Sequence, residues 1–316
     1  MLIAAGALIV VMLIIGIILN LITNAVESKK SKPKTAQDSS SKSMVVSKSV
    51  DLDYENQYLN INSIHEGNLI LVNDDHKFEE SAEKSAELTV IDDNKNQYYE
   101  SKSLSLTMDK NALKALNNMA EGFFTDNSLK EPNGKTGIMI KSAYVSPDEQ
   151  NIIYNQALDN VVKMSKGGYS EHQTGLCVDL SFSSNNSITE LEYETWFTEN
   201  CYKYGFILRY PEDKADTTGI KNHENHFRYL GLPHAYYISQ NNLTLEEYLE
   251  ELKKYTLSNK LCFTYNSKQY EIYYAKAKPV ENDSQKCEVC VPRDNSATFS
   301  TISGNNIDGF IITTEK

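Results

Sequence analysis

Ser170-Glu-His-Gln-Thr-Gly-Leu-Cys-Val-Asp-Leu180 is the stretch on which the reading of this chain turns. It sets His172 and Asp179 seven residues apart, with Gly175 between them free to make a sharp turn. A loop histidine and a strand aspartate can therefore converge. A second histidine cluster, His223-Glu-Asn-His226, stands just before the short apolar run Phe227–Leu230, which reads as a strand. Two histidines and one carboxylate make a standard three-ligand shell for catalytic zinc, with the fourth position left to water. Such an ion lowers the pKa of water and polarises a carbonyl. On spacing alone, this reading of His172, Asp179 and His226 stands beside a plainer one, in which each histidine is structural.

Outward from this stretch, Cys177–Phe182 reads as a strand and Tyr193–Tyr204 as a helix. Upstream, Asn68–Asn73 looks like a short buried strand and Ile138–Tyr144 like another. Leu113, Leu116, Ala120 and Phe123 recur at helical spacing, and Asp148–Met164 reads as the next helix. Downstream, Thr244-Leu-Glu-Glu247 is a capping-box pattern that starts a helix over Leu243–Tyr255. Partial alternation over Leu261–Ile272 predicts a hairpin. The tail after Val280 is polar and is expected to be loosely ordered up to a last strand at Gly309–Thr313. Helices and strands mixed without regular βαβ order predict an α+β fold.

At 316 residues the chain has room for one or two domains. Ordinary apolar content and 20 tyrosines predict a packed body rather than disorder. A net charge of −12 disfavours nucleic acid, which calls for a basic surface. Five scattered cysteines form no disulfide framework. Cys287-Glu-Val-Cys290 is a redox or metal pair, a local disulfide or an accident of spacing, with no second pair to complete a four-sulfur zinc site. Cys177, two residues before Asp179 and on the same strand face, is a small buried hydrophobe or a fourth ligand.

Leu2–Ile22 is an almost unbroken apolar run, about the ~20 residues that cross a bilayer. It lacks the basic start and small-residue cleavage site of a signal peptide, so an uncleaved transmembrane anchor over 1–25 is expected. Residues 26–49, rich in Ser and Lys, read as a stalk. Lys29, Lys30, Lys32 and Lys34 follow the apolar run, and by loop charge alone would place the body in the cytoplasm.

The stretch Ser170–Leu180 resembles the SxHxxGxAxDL signature of the VanY-like zinc D,D-carboxypeptidases. Gly205-Phe-Ile-Leu-Arg-Tyr-Pro211, Thr218-Gly-Ile220 and His226-Phe-Arg-Tyr-Leu-Gly231 continue the resemblance in order, and Gly67–Asn73 and Pro233-His-Ala235 extend it. It runs from about residue 60 to about residue 255. The resemblance implies a compact zinc D,D-peptidase fold over 50–257, with 258–316 left as a small β-rich appendage. It implies an extracellular body that trims the terminal D-Ala from peptidoglycan stem peptides, which together with the anchor expected from Leu2–Ile22 makes a single-pass protein of the cell membrane. By motif position it implies His172, Asp179 and His226 as zinc ligands, with Gln150, Ser170, Ser146 and Tyr144 at the substrate.

Two positions depart from the pattern. Where the family carries Ser-Gly-Tyr-Arg-Ser, this chain has Ser142-Ala-Tyr-Val-Ser146, and Val145 cannot pair with an oxyanion or a carboxylate. Where the family has a glutamate three residues before the last ligand, this chain has His223, followed by Glu224. Either residue is a candidate base: imidazole has a suitable pKa, and a bulge would bring Glu224 round. The remaining expectation is a wall-peptide-binding module that has lost hydrolysis.

Overall fold

Short alternating segments and amphipathic helices interleave along this chain, and the structure sorts them into one mixed sheet-and-helix body. It is a computed structural model and describes residues 53–79, 87–127, 136–159, 164–185, 188–221, 225–293 and 298–316. These belong to one compact unit, Val45–Lys316. The expected anchor 1–25 and stalk 26–49 lie outside the described residues, and among the described residues no helix is long and apolar enough to cross a membrane.

In chain order the first strands are β1 (Tyr54–Asn60), β2 (Leu88–Val90), β3 (Glu100–Ser101), β4 (Thr107–Asp109), β5 (Ile138–Ser142), β6 (Cys177–Phe182), β7 (Phe206–Leu208) and β8 (His226–Tyr229). They are followed by β9 (Leu261–Tyr265), β10 (Lys268–Lys276), β11 (Pro279–Val280), β12 (Asp283–Pro292), β13 (Phe299–Gly304) and β14 (Gly309–Glu315). The longer helices are α1 (Lys110–Asp126), α2 (Pro147–Asp159), α3 (Glu190–Asn200), α4 (Leu232–Asn241) and α5 (Leu245–Leu252).

The central sheet has the order β3-β5-β6-β8-β7, antiparallel except for the β3–β5 pair. Strand alternation divides its residues between two faces. Val178, Leu180, Phe182 and Phe227 enter the main core. There α1 lays down Leu113, Leu116, Ala120 and Phe123, as their spacing predicts, and Phe123 stacks on Tyr193 of α3 at 4.6 Å. Asp109 starts α1 by accepting the backbone N–H of Asn111 and Ala112. Cys177, Asp179, His226 and Arg228 are left on the opposite face. Thr244 and Glu247 form the expected capping box at the head of α5.

Two expectations are corrected. Asn68–Asn73 is no strand, although Leu69–Val72 are deeply buried. Its backbone groups are met one at a time: Arg228 Nη2 donates to the Asn68 and Ile70 carbonyls at 3.0 Å each. Ser303 Oγ accepts the Leu69 N–H at 2.9 Å. The tail after Val280 is also ordered. In it β12 pairs with β1 over seven residues, and Cys287, Val289 and Val291 point into a second core with Tyr273, Phe310 and Ile312. Polar residues between them mask that alternation in the sequence. Cys290 is half-buried, and all five cysteines are free thiols, so Cys287 and Cys290 form no disulfide.

The C-terminal strands form the sheet β13-β14-β10-β9, and β11 and β12 join β1 in a separate one. Asn306, in a left-handed conformation (φ 60°), ties them to the 64–77 segment. Its amide donates to the carbonyls of Leu71 (2.6 Å) and Lys77 (2.9 Å), and its Oδ1 lies 2.5 Å from His65 Nδ1. Replacing Asn306 with Ala strands several buried polar groups and strains φ, so it is expected to destabilise the fold by about 2–4 kcal/mol. Urea unfolding measures this, and an unchanged midpoint would show that the tie carries no stability.

Candidate metal centre

The register of β6 against β8 places Asp179 directly opposite His226. Cross-strand partners on one face lie within side-chain reach, and His226 Nδ1 sits 2.6 Å from Asp179 Oδ1. His172 arrives from the single 3₁₀ turn Glu171–Thr174, which ends at Gly175 in the left-handed conformation (φ 70°) that the glycine permits. Ser170 opens that turn, its hydroxyl accepting the His172 N–H in a capping box completed by Gln173. The His172 ring is aimed by its Nδ1, 2.5 Å from the Ala143 carbonyl, which leaves Nε2 3.2 Å from Asp179 Oδ2. The two imidazoles stand perpendicular, with centroids 5.0 Å apart.

On the far side of His226 lies Glu171, wholly buried. Its Oε1 accepts Arg209 Nε at 2.9 Å and forms an ion pair with Arg228 Nη1 at 3.0 Å, while its Oε2 faces His226 Nε2 at 3.6 Å and accepts the Cys177 thiol at 3.5 Å. Arg209 continues to Glu246 of α5 at 2.6 and 2.9 Å. Burial alone would raise the Glu171 pKa, but the two guanidiniums outweigh it and hold the carboxyl well below the usual range. For Asp179 burial is likewise overcome, here by His172 and His226, and its pKa is lowered. Burial works to lower the His226 pKa, yet the Asp179 carboxylate carries it well above the ordinary histidine value.

The ligand atoms of His172, Asp179 and His226 all lie within 4.8 Å of one another. Two imidazole nitrogens and a carboxylate suit a borderline divalent ion such as zinc. Glu171, Cys177 and His226 are equally close, but two guanidiniums already claim that carboxylate, and their charge repels a further cation. Cys177 groups with Glu171 and His226 rather than with the set of His172, Asp179 and His226, its thiol 3.5 Å from Glu171 Oε2. Solvent reaches the centre from the His172 and Asp179 side, with side-chain exposures of 10% and 20% against 0% for Glu171.

The other expected residues take varied places. Gln150 is buried and gives its amide to the Ser165 carbonyl at 2.9 Å. Ser146 shares a capping arrangement with Glu149 at the head of α2. Tyr144 is half-buried, its N–H bonded to the Thr107 carbonyl. Val145 is half-buried and its carbonyl accepts Gln173 Nε2 at 3.2 Å. His223 and Glu224 lie outside the described residues. Glu171, Arg209 and Arg228 were missed as functional residues. Their signal was available: an arginine inside an apolar strand, as in His226-Phe-Arg-Tyr, needs a buried partner.

The sequence profile of the VanY family, D-alanyl-D-alanine carboxypeptidase, matches residues 105–232. A D-alanyl-D-alanine carboxypeptidase of Enterococcus faecium is 34% identical over 255 residues, which is 79% of this chain and 76% of that protein. The putative carboxypeptidase YodJ of Bacillus subtilis (strain 168) is 43% identical over 129 residues, which is 36% of this chain and 45% of its own length. The solved structure of the vancomycin resistance D,D-dipeptidase VanXYg, in complex with a D-Ala-D-Ala phosphinate analogue, is similar with a TM-score of 0.68 and 29% identity. That similarity covers 84% of this chain and 100% of the other.

The depressed carboxyls predict how the metal-free body responds to acid. Stability from Glu171 is fully present above its unfolded value of 4.5, and from Asp179 above 3.8. It is lost as pH falls through those values toward the folded ones. Urea midpoints measured from pH 7 downward are expected to drop steeply below about pH 4.5, and a flat profile there would contradict the buried ion network.

Proposed function

The chain belongs to the VanY family of D-alanyl-D-alanine carboxypeptidases, and from that premise we propose that it is a zinc-dependent carboxypeptidase trimming the terminal D-Ala from peptidoglycan stem peptides. The observation that carries this reading is the convergence of His172 Nε2, Asp179 and His226 Nδ1 on one sheet face. These three residues would hold the metal. A zinc ion there lowers the pKa of water and polarises the carbonyl before the terminal residue.

The rest of the reaction falls to the chain's own groups. The Ala143 carbonyl keeps the His172 ring in place, and Ser170 and Gln173 lock the turn that delivers it. Tyr144, Ser146, Gln150 and Ser170 belong to the segments that border the peptide. We assign the proton acceptor to His223 or Glu224. Support for Glu224 comes from Asn225, which is left-handed at φ 61°. Extended alternation therefore stops short of Asn225, and the two-residue periodicity that counts against Glu224 does not carry beyond it. The body is carried outside the cell by an anchor at 1–25 and a stalk at 26–49, where stem peptides lie.

A second reading has its own observation. Val145 brings no charge to the position where the family has arginine, and oxyanion stabilisation of that kind is worth several kcal/mol, roughly 10²–10³ in rate. The chain would then bind terminal D-Ala peptides without cutting them.

The soluble body, residues 47–316, supplied with zinc and muropeptides ending in D-Ala-D-Ala, is expected to release D-Ala and to stop when a chelator is added. His223→Ala or Glu224→Ala, whichever removes the base, is expected to lower the rate about 10²–10⁴-fold. Val145→Arg is expected to raise it. Peptide binding without release in every variant would decide for the binding module.

A reporter fused after Lys316 tests the placement. Activity only from a reporter that works outside the cytoplasm is expected, and a cytoplasm-only signal would reverse the topology.

A further inference from the structure

We propose that Glu171 is the positioning residue of the metal centre: its carboxylate, standing 3.6 Å from His226 Nε2, keeps a ring hydrogen on that nitrogen and so leaves Nδ1 for the metal position. This rests on His172, Asp179 and His226 being the ligand set.

The case starts from what an imidazole can offer. A neutral ring has one N–H donor and one acceptor nitrogen, and a carboxylate only accepts. A nitrogen that faces a carboxylate therefore carries a hydrogen, and a ring with a carboxylate at each edge carries two until a metal displaces one. In this site the two carboxylates stand on opposite edges of the same ring, with Asp179 Oδ1 at Nδ1 (2.6 Å) and Glu171 Oε2 at Nε2 (3.6 Å). A cation between His172 and Asp179 would displace the Nδ1 hydrogen and use that lone pair, so the remaining hydrogen would reside at Nε2, where Glu171 stands.

Glu171 is built for that task. Its two oxygens divide their partners. Oε1 is held by Arg209 Nε and Arg228 Nη1 at 2.9 and 3.0 Å, and Oε2 is left toward the ring and the Cys177 thiol. The guanidiniums keep the group ionised and fix its orientation from behind, and Glu246 grips Arg209 in turn. Glu171 also precedes His172 in the chain, so one short turn delivers a metal ligand with one residue and orients a second ligand with its neighbour. His172 needs no such carboxylate, because a backbone carbonyl already sets its ring. Outer partners of this kind commonly govern metal affinity by about 10–100-fold.

The test uses Glu171→Asp, which keeps the charge that Arg209 and Arg228 require but withdraws the oxygen from the ring. Glu246→Gln is the comparison: it removes a partner of the same Arg209 and touches no ligand. Zinc affinity is measured by competition with a chelator, alongside the absorption spectrum of the cobalt-substituted protein and circular dichroism for folding. Glu171→Asp is expected to stay folded, to bind zinc about 10–100-fold more weakly, and to alter the cobalt spectrum. Glu246→Gln is expected to keep wild-type affinity and spectrum. In wild-type protein with nitrogen-labelled histidine and NMR-active cadmium, coupling at His226 is expected on Nδ1, with a slowly exchanging hydrogen on Nε2. This last measurement stands even if Glu171→Asp fails to fold.

Equal weakening by both variants, unchanged affinity in Glu171→Asp, or cadmium coupling on Nε2 would overturn the proposal. Absence of any metal binding by the wild-type protein would overturn the ligand set itself and this proposal with it. A wild-type protein that binds zinc but releases no D-Ala would contradict hydrolysis alone.

Discussion

A single carboxylate sunk beneath the sheet, Glu171 between Arg209 and Arg228, is the constraint around which the rest of this structure is arranged. Removing one member of such a buried set leaves an uncompensated charge, at a cost of about 3–5 kcal/mol. Each partner also belongs to a different part of the fold. Glu171 lies in the turn that carries His172, and Arg228 lies on β8 beside His226. Arg209 follows β7 and reaches α5 through Glu246. The charge network therefore ties, from behind, the turn that carries His172 to the strand that carries His226. Arg228 adds a further reach, bonding the carbonyls of Asn68 and Ile70 and drawing a non-repetitive segment into the interior.

The same network explains why the two faces of the central sheet differ so sharply. On the helix side Val178, Leu180 and Phe227 meet a continuous apolar cluster, where the hydrophobic effect alone specifies packing. On the other side a column of polar groups, Cys177 and Arg228 in one register pair and Asp179 and His226 in the next, must satisfy one another. Charges are tolerated there because each has a partner of opposite sign. Asp179 keeps some solvent contact, while Cys177 and Arg228 have none.

This division also decides what could be read from the chain. The ligand strand, the glycine turn, helix α1 and the capping box at α5 were legible, since each follows from a local pattern of one period or one turn residue. The three candidate ligands were legible because the histidine and aspartate spacing carries its own geometry. The role of Glu171 was not, although it sits inside the deciding stretch. Its meaning depends on arginines 38 and 57 residues away in sequence, from Glu171 to Arg209 and to Arg228. Asn68–Asn73 was misread for a related reason: apolar residues in a row signal burial, but only distant donors reveal that no neighbouring strand supplies the hydrogen bonds. Strand β12 was hidden differently, its buried Cys287, Val289 and Val291 separated by exposed Glu288 and half-buried Cys290.

The C-terminal strands then appear less as an addition than as part of the frame that supports the site. Asn305 and Asn306 bind the 64–77 segment from one side, and Arg228 binds it from the other. The segment's next residue, Phe78, donates its N–H to the Gly168 carbonyl at 2.7 Å, two residues before Ser170 opens the metal-bearing turn. Gly168 in turn gives its N–H to Gln173, whose amide also holds the Val145 carbonyl. A continuous chain of backbone-anchored contacts thus runs from the β13–β14 turn to the lip of the candidate site and on to Val145. That continuity gives a physical reason for a metallopeptidase body to keep these extra strands: they brace the loop on which the His172 turn rests, from a direction that the central sheet cannot reach.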